Sequence, residues 1–366
     1  GHRPSTCRVC LFRHRGIQAR IIPWKGSLST REAGDGALYG NYEERKSMKI
    51  VLDAMGSDTH PTPDVAGAVL AAQAWPNDEI ILVGQADVIN RELEGLDARG
   101  VNLQIVDAPE VIQMDDDAAW AAREKRDSSM HIGMGLVRDG EADAFVSAGN
   151  TGGVLTVATL HTLKRIRGVR RPALAAILPL PEGQFVTLDI GANADCKPEF
   201  LVQFAMMGSV YAEAVLERKN PRVALLSNGE ERGKGNLLVK ETTKLLESSS
   251  LRFIGNVEPK EALACAADVV VHDGFTGNVF IKTTEAAAGM LSGLIKEEIK
   301  ANPITAMGGL LAKPAFGRVA RRVDPFEVGG GPLLGVEGVV IVAHGRSNAR
   351  ALKNAVGQAR RAVQGG

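Results

Sequence analysis

From Met48 onward, short runs of β-branched and aliphatic residues alternate with longer stretches of helical composition. Buried strands are expected at 49–52, 79–84, 101–106, 144–147, 173–178, 185–188, 223–226, 253–255 and 269–271. Helices are expected between most of them, at 65–74, 118–125, 131–139, 154–164, 199–217, 237–247 and 260–264. Strands that alternate with helices predict an α/β fold, a mostly parallel sheet with helices on both faces. Ligands of such sheets bind outside the carboxyl ends of the strands.

One stretch breaks the rhythm. Residues 285–323 carry no strand pattern and read as a helical hairpin arm over 289–323, bent at Pro303 and Pro314. Between Met290 and Val323 the arm holds Lys296, Lys300, Lys313, Arg318, Arg321 and Arg322 against Glu297 and Glu298. Its apolar, glycine-containing stretch, with Met307, Leu310 and Leu311, is expected at the tip and as the membrane contact. A basic amphipathic hairpin suits an anionic membrane surface or an acidic protein, and equally a helix pair packed on the core or in a dimer.

The strand ends carry the candidate chemistry. Small and polar blocks follow or precede the apolar runs: SAGNTGG (147–153), DIGANADCKPE (189–199), LLSNGEERGKGN (225–236), GNVE (255–258) and DGFTGNV (273–279). Glycine lets backbone N–H groups approach a ligand, and Asn, Ser, Thr and Lys add neutral or positive donors, which is the chemistry of holding phosphate. The cradle expected first is Ser147, Asn150 and Thr151 at a helix start, where an N-cap would use the same residues. Asn193, Asp195 and Lys197 follow in the next block, with Lys197 placed to neutralise phosphate or polarise a carbonyl. Asn228, Glu230, Lys234 and Asn236 form a third cluster, in which Glu230 or Glu231 can instead pair with Lys234. Asp273, Thr276 and Asn278 close the site, and Asp53 ends the first strand beside it. His344, at a late strand end, is a candidate general acid.

Composition narrows the field. Lys plus Arg equals Asp plus Glu at 43 each and aromatics are 4%, so neither a basic field nor a stacking platform for nucleic acid is present. No apolar run reaches the roughly 20 residues of a membrane span. The 4 cysteines, with Cys196 and Cys265 in core-like segments, suggest a reducing compartment. The first 47 residues, with 9 Lys or Arg against 4 acidic residues and a Gly-His start, are expected to be a non-native or disordered extension. Cys7, Cys10 and His14 form an incomplete zinc set there, and no metal or cofactor is expected.

In their order, these blocks, with LDAMGSD (52–58), QFAMMGSVYA (203–212) and GGGPLLGVEGVVIVAHG (329–345), resemble the PlsX family of bacterial acyl-carrier-protein:phosphate acyltransferases. The resemblance runs from Met48 to the C-terminus, with Ser57 where the family often has Gly. It implies a fold like that of isocitrate and isopropylmalate dehydrogenases and phosphotransacetylases. It also implies a homodimer in the cytoplasm, associated peripherally with the membrane. The implied reaction is attack of inorganic phosphate on the thioester of a long-chain acyl carrier protein, the acyl phosphate then passing to a membrane acyltransferase of phospholipid synthesis. With no GxSxG elbow in the chain, the roles expected are proximity, an oxyanion donor and help for the leaving thiolate, from Lys197, Asn228 and His344. A phosphotransacetylase-like enzyme using coenzyme A is the alternative. A dehydrogenase of related fold would need a Tyr–Lys pair, whereas the chain has 3 tyrosines, Tyr39, Tyr42 and Tyr211.

Overall fold

The computed structural model describes residues 47–180, 182–323 and 325–365, and of 320–323, 325 and 326 the backbone alone. The expected extension, with Cys7, Cys10 and His14, lies outside the described residues but for Ser47. The strands are β1 (Lys49–Asp53), β2 (Glu79–Gly84), β3 (Leu103–Asp107), β4 (Ala144–Ser147), β5 (Ala173–Leu180), β6 (Gly183–Leu188), β7 (Arg222–Leu226), β8 (Arg252–Val257), β9 (Val269–Val271), β10 (Gly331–Leu334) and β11 (Val339–Val342). The helices are α1 (Thr62–Ala74), α2 (Ala86–Leu93), α3 (Ala118–Glu124), α4 (Ser129–Arg138), α5 (Thr151–Thr156), α6 (Pro198–Leu216), α7 (Leu237–Glu247), α8 (Pro259–Leu263), α9 (Gly274–Lys300), α10 (Pro303–Val323), α11 (Pro325–Val328) and α12 (Ala349–Gly365). The helix expected over 154–164 is α5 passing into a π-helical turn, Val157–His161.

All eleven strands form one sheet in the order β3-β2-β1-β4-β11-β10-β5-β6-β9-β7-β8. The two flanks are parallel, and they run in opposite directions. The reversal occurs at the centre, where β10 is antiparallel to both β11 and β5, and β5 is antiparallel to β6. Helices cover both faces. On one flank α1 and α12 bury Val65, Ala68, Leu352 and Val356 against Ile50, Leu52 and Ile80. On its other face α4 and α5 bury Met130, Met134 and Val154 against Val51 and Phe145. The second flank is covered by α6 and α7 through Leu201, Phe204, Val239 and Leu246. Burial of each such aliphatic or aromatic side chain contributes about 1.5–3 kcal/mol.

Contrary to the expectation from sequence, α6 is long and apolar enough to cross a membrane. Its buried residues, among them Leu201, Phe204, Gly208 and Tyr211, face the sheet core, which accounts for that composition. The hairpin also differs. Its first helix begins within the DGFTGNV block, capped by Asp273, and its turn lies at 301–302. Met307, Leu310 and Leu311 are therefore in α10, not at the tip, and the helix continues through Pro314. The cause is local: Pro303 opens α10, while Asn302 Oδ1 accepts the Thr305 N–H at 3.0 Å. Ile304, Leu310 and Leu311 remain 81%, 69% and 80% exposed, an apolar ridge on the arm.

Candidate active site

The register of the central strands brings the two flanks to one place. Ser147, which ends β4, pairs with Val342 of β11, and Val342 pairs with Gly331 of β10. Across the next pairs, Leu333 lies opposite Leu174 and Ala175 opposite Leu188, which ends β6. The carboxyl ends of β4 and β6 thus arrive within a residue of the same row, although their flanks run oppositely. Both sets of loops reach one cavity of about 370 Å³, bounded by β5, the first half of α9, and the segments 328–331 and 342–344.

The cavity has an apolar wall and a polar rim. Leu174, Ala176, Leu178 and Leu180 line it from β5, with Ile190, Ile281 and Val328. Ala173 and Ala175 belong to the core under α6, as the two-residue period of a strand requires, whereas Ile177 is shared between that core and the cavity, and Pro179 also lines the cavity. Thr151, Asn278, Lys282, Glu285 and His344 supply the polar groups. His344 Nε2 lies 3.7 Å from Glu285 Oε1, so a protonated imidazole there would have a carboxylate beside it. Of the residues proposed from sequence, the cavity collects Thr151, Asn278 and His344.

Most of the others hold the rim together. Asp53 and Ser147 are fully buried, and the Ser147 hydroxyl donates to Asp53 Oδ2 at 2.7 Å and accepts the Gly149 N–H at 3.0 Å. Burial raises the Asp53 carboxyl above its ordinary range. Gly56 is required here, since a Cβ on it would lie 2.9 Å from the Gly149 nitrogen. Asn150 is fully engaged: its amide donates to the carbonyls of Gln113, Met114 and Asp116, while Oδ1 accepts the Gly153 N–H at 3.0 Å. Both Ser147 and Asn150 therefore shape the turn with the groups expected to bind phosphate. Asp273 accepts the Thr276 N–H and hydroxyl, both at 2.8 Å, so this pair caps α9.

Asp189 is the hub of the opposite rim. It accepts the N–H groups of Leu174, Gly191, Ala192 and Asn193, and the Asn193 amide at 2.9 Å. Burial raises its carboxyl, and these donors oppose the shift. Asn193 spends its side chain on Asp189 and on the carbonyl of Pro172. His272 lies beneath, with Nδ1 3.0 Å from the Asp189 carbonyl and Nε2 2.6 Å from the Thr187 hydroxyl. That geometry makes Nδ1 the donor, and burial lowers the imidazole to about 4, so it is neutral. A Cβ on Gly277 would come 2.2 Å from the Asp189 carbonyl, so only glycine lets α9 seat on this loop. Burial pushes the Cys196 thiol up to about 12, which removes it as a nucleophile.

Two groups fall outside the cavity. Asp195 and Lys197 are exposed at the start of α6 and do not line it. Asn228, Glu230, Lys234 and Asn236 lie on the β7–α7 connection, all exposed. Asn228 Oδ1 accepts the Gly235 N–H, and Asn236 caps α7 through the Val239 N–H. Glu230 has its carboxyl raised by a hydrogen bond shared with Glu261, and no ion pair to Lys234 forms among the described residues. Lys282 and Glu285 were not identified from sequence. The signal was there: 278, 281, 282, 285 and 288 recur at helical spacing on one face of α9.

Comparison with known proteins agrees with this architecture. The family model described as "Fatty acid synthesis protein" matches residues 48–366. A phosphate acyltransferase of Geotalea uraniireducens is 45% identical over 309 residues, covering 84% of this chain and 89% of that protein. Another, from Elusimicrobium minutum, is 48% identical over 322 residues, covering 87% and 93%. Among solved structures, a branched-chain phosphotransacylase from Enterococcus faecalis superposes with a TM-score of 0.57 at 17% identity, covering 86% of this chain and 99% of that one. A phosphotransacetylase from Staphylococcus aureus gives 0.56 at 18% identity, covering 87% and 94%. These two likenesses show the fold. With a cavity at the meeting of two sets of strand ends and close relatives along nearly all of the sheet, the chain belongs to the fatty acid synthesis protein family and is an acyltransferase.

Proposed function

We propose that the enzyme transfers a long-chain acyl group from an acyl carrier protein to inorganic phosphate, supplying acyl phosphate for phospholipid synthesis. The observation that carries this reading is the apolar wall beneath a polar rim. From Leu174 to Leu180 the wall runs six residue steps along β5, about 20 Å at roughly 3.3 Å per residue. An extended hydrocarbon advances about 1.25 Å per carbon, from a single bond of about 1.5 Å at the tetrahedral angle, so about 16 carbons can lie along it. A two-carbon acyl group needs no such wall.

In the proposed step, a phosphate oxygen attacks the thioester carbonyl, the C–O bond forms, and the C–S bond breaks. The proton of hydrogen phosphate is balanced by the proton that the leaving thiolate takes up. Phosphate is nucleophilic without an activated side chain, so the site has to orient it and stabilise charge. Lys282, Asn278 and Thr151 are the donors available for phosphate and the oxyanion, and His344, paired with Glu285, is placed to protonate the thiolate.

The deciding experiment incubates the protein with palmitoyl carrier protein, with and without phosphate. Acyl phosphate should appear only with phosphate. Efficient use of acetyl-coenzyme A in place of the carrier substrate would favour the coenzyme A reading instead. The exposed ridge of α10, with Lys300, Lys313 and Arg318 nearby in the chain, supports a further part of the proposal: a cytoplasmic homodimer resting on an anionic membrane, where its product meets a membrane acyltransferase. Leu310→Glu with Leu311→Glu should abolish pelleting with anionic vesicles and spare turnover in solution. Retained pelleting would assign the ridge to a protein contact.

A further inference from the structure

The connection from the π-helical turn to β5 is the most charge-segregated stretch of the described chain. Between Asp143 and Glu182 the sequence has no acidic residue, yet 164–171 carries Lys164, Arg165, Arg167, Arg170 and Arg171. All five are exposed, and none forms an ion pair among the described residues. In a chain with equal numbers of acids and bases, such a cluster is a local field.

The connection is also preformed. The Ile166 N–H donates to Gly335, the Glu337 N–H donates to Lys164, and Gln203 on α6 bridges the Arg170 N–H and the Gly168 carbonyl. Arg165 donates to the Arg170 carbonyl at 2.6 Å, and the Arg171 guanidinium sits 6.0 Å over the Phe200 ring. Arg167 and Arg170 are exposed to solvent, with Ile166 46% exposed next to Arg167 in the chain. The position matters as much as the charge. Three residue steps, about 10 Å of extended chain, lead from Arg171 to Leu174 in the cavity wall. The carbonyl of Pro172 between them is held by Asn193 on the opposite rim loop.

We propose that the 164–171 connection is the docking surface for an acidic carrier protein, which delivers its thioester into the cavity beside it. This rests on the proposed donor for the reaction. It assigns the carrier to this surface, leaving the α9–α10 arm to another contact. Charge complementarity across such a patch sets encounter rate and specificity, and both decline with salt.

The test compares wild type with Arg167→Glu and Arg170→Glu combined, neither residue lining the cavity. Turnover is measured with palmitoyl carrier protein and with palmitoyl-pantetheine, and carrier binding is measured directly without turnover. The double variant should raise KM for the carrier substrate at least tenfold, lose most of the salt dependence, and stay within twofold of wild type on palmitoyl-pantetheine. An acidic-to-lysine carrier variant should restore part of the loss. Equal losses on both thioesters, an unchanged carrier KM, or a change only in vesicle binding or in oligomeric state would overturn the proposal. If wild type turns over palmitoyl-pantetheine but neither binds nor uses the carrier, the donor assignment itself fails. If wild type uses the carrier and the variant does so equally well, only the docking surface fails.

Discussion

The Leu174 N–H donates to the Asp189 carboxylate at 3.0 Å, so the cavity wall and the loop at its edge are one hydrogen-bonded unit. Four further donors converge on the same carboxylate. Asp189→Asn keeps the size but turns an amide N–H₂ toward N–H groups that lose their acceptor. It should cost about 1–3 kcal/mol of stability for the donors left unpaired. Urea unfolding measures this, and an unchanged midpoint would mean that other contacts hold the loop.

His344 is expected to act on the leaving group. His344→Gln should lower kcat at least tenfold with an alkyl thioester, within the range known for general acids. With an aryl thioester, whose acidic thiol leaves without a proton, the loss should be under threefold. Equal losses on both would make His344 a binding residue.

Lys282 and Lys197 separate two locations for phosphate. Lys282→Met should raise KM for phosphate more than tenfold, since it removes the cation lining the cavity. Lys197→Met should leave it within twofold. The opposite result would return the phosphate site to the 189–197 loop.

Ala176, midway along the wall, is the place to shorten it. Ala176→Phe should lower kcat/KM at least tenfold for a palmitoyl substrate and less than threefold for an octanoyl one. Thermal unfolding checks that the fold survives, and a uniform loss over all chain lengths would move the acyl chain elsewhere.

His272 couples the rim to pH. Its folded value of about 4 lies below the ordinary 6.5, so its contribution to stability is complete above pH 6.5 and is lost as the pH falls toward 4. The slope is up to about 1.4 kcal/mol per pH unit. His131, lowered by burial to about 4, acts in the same direction, whereas Asp64, raised by burial to about 8, loses stability as the pH rises from 3.8 to about 8. His272→Asn should flatten the stability profile between pH 6.5 and 4.5 by about one such slope. Parallel profiles for the two proteins would show that His272 does not titrate in that window.

The sheet was legible in the sequence because β-branched runs of strand length were bounded by polar blocks, and those blocks do lie at strand ends. The role of each polar side chain was not. Asn, Asp, Ser and Thr at a strand-to-helix junction serve equally as caps and as anion donors, and Asn150, Asn236, Asp273 and Thr276 turn out to be committed to caps. Lys282 and Glu285 follow the DGFTGNV block on α9, and helical spacing from Asn278, not the glycine-containing turn itself, is what marks them. The four-residue β10, opening directly after two glycines, carried too little apolar pattern to be read, and without it the reversal at the sheet centre could not be seen.

That reversal gives β5 two audiences. Through Ala176 the strand alternates, Ala173 and Ala175 facing the core under α6 and Leu174 and Ala176 the cavity, while from Ile177 to Leu180 every residue borders the cavity. Substitution at 176 is expected to retune the acyl chain accepted at the proposed site, whereas Leu178 also packs on the core cluster of Phe185 and Val270. A single residue inserted or deleted at the start of β5 would exchange the two sides there, sending Ala175 toward the cavity and Ala176 toward α6. If the acyl chain lies here as proposed, the start of this strand should tolerate replacement better than insertion or deletion.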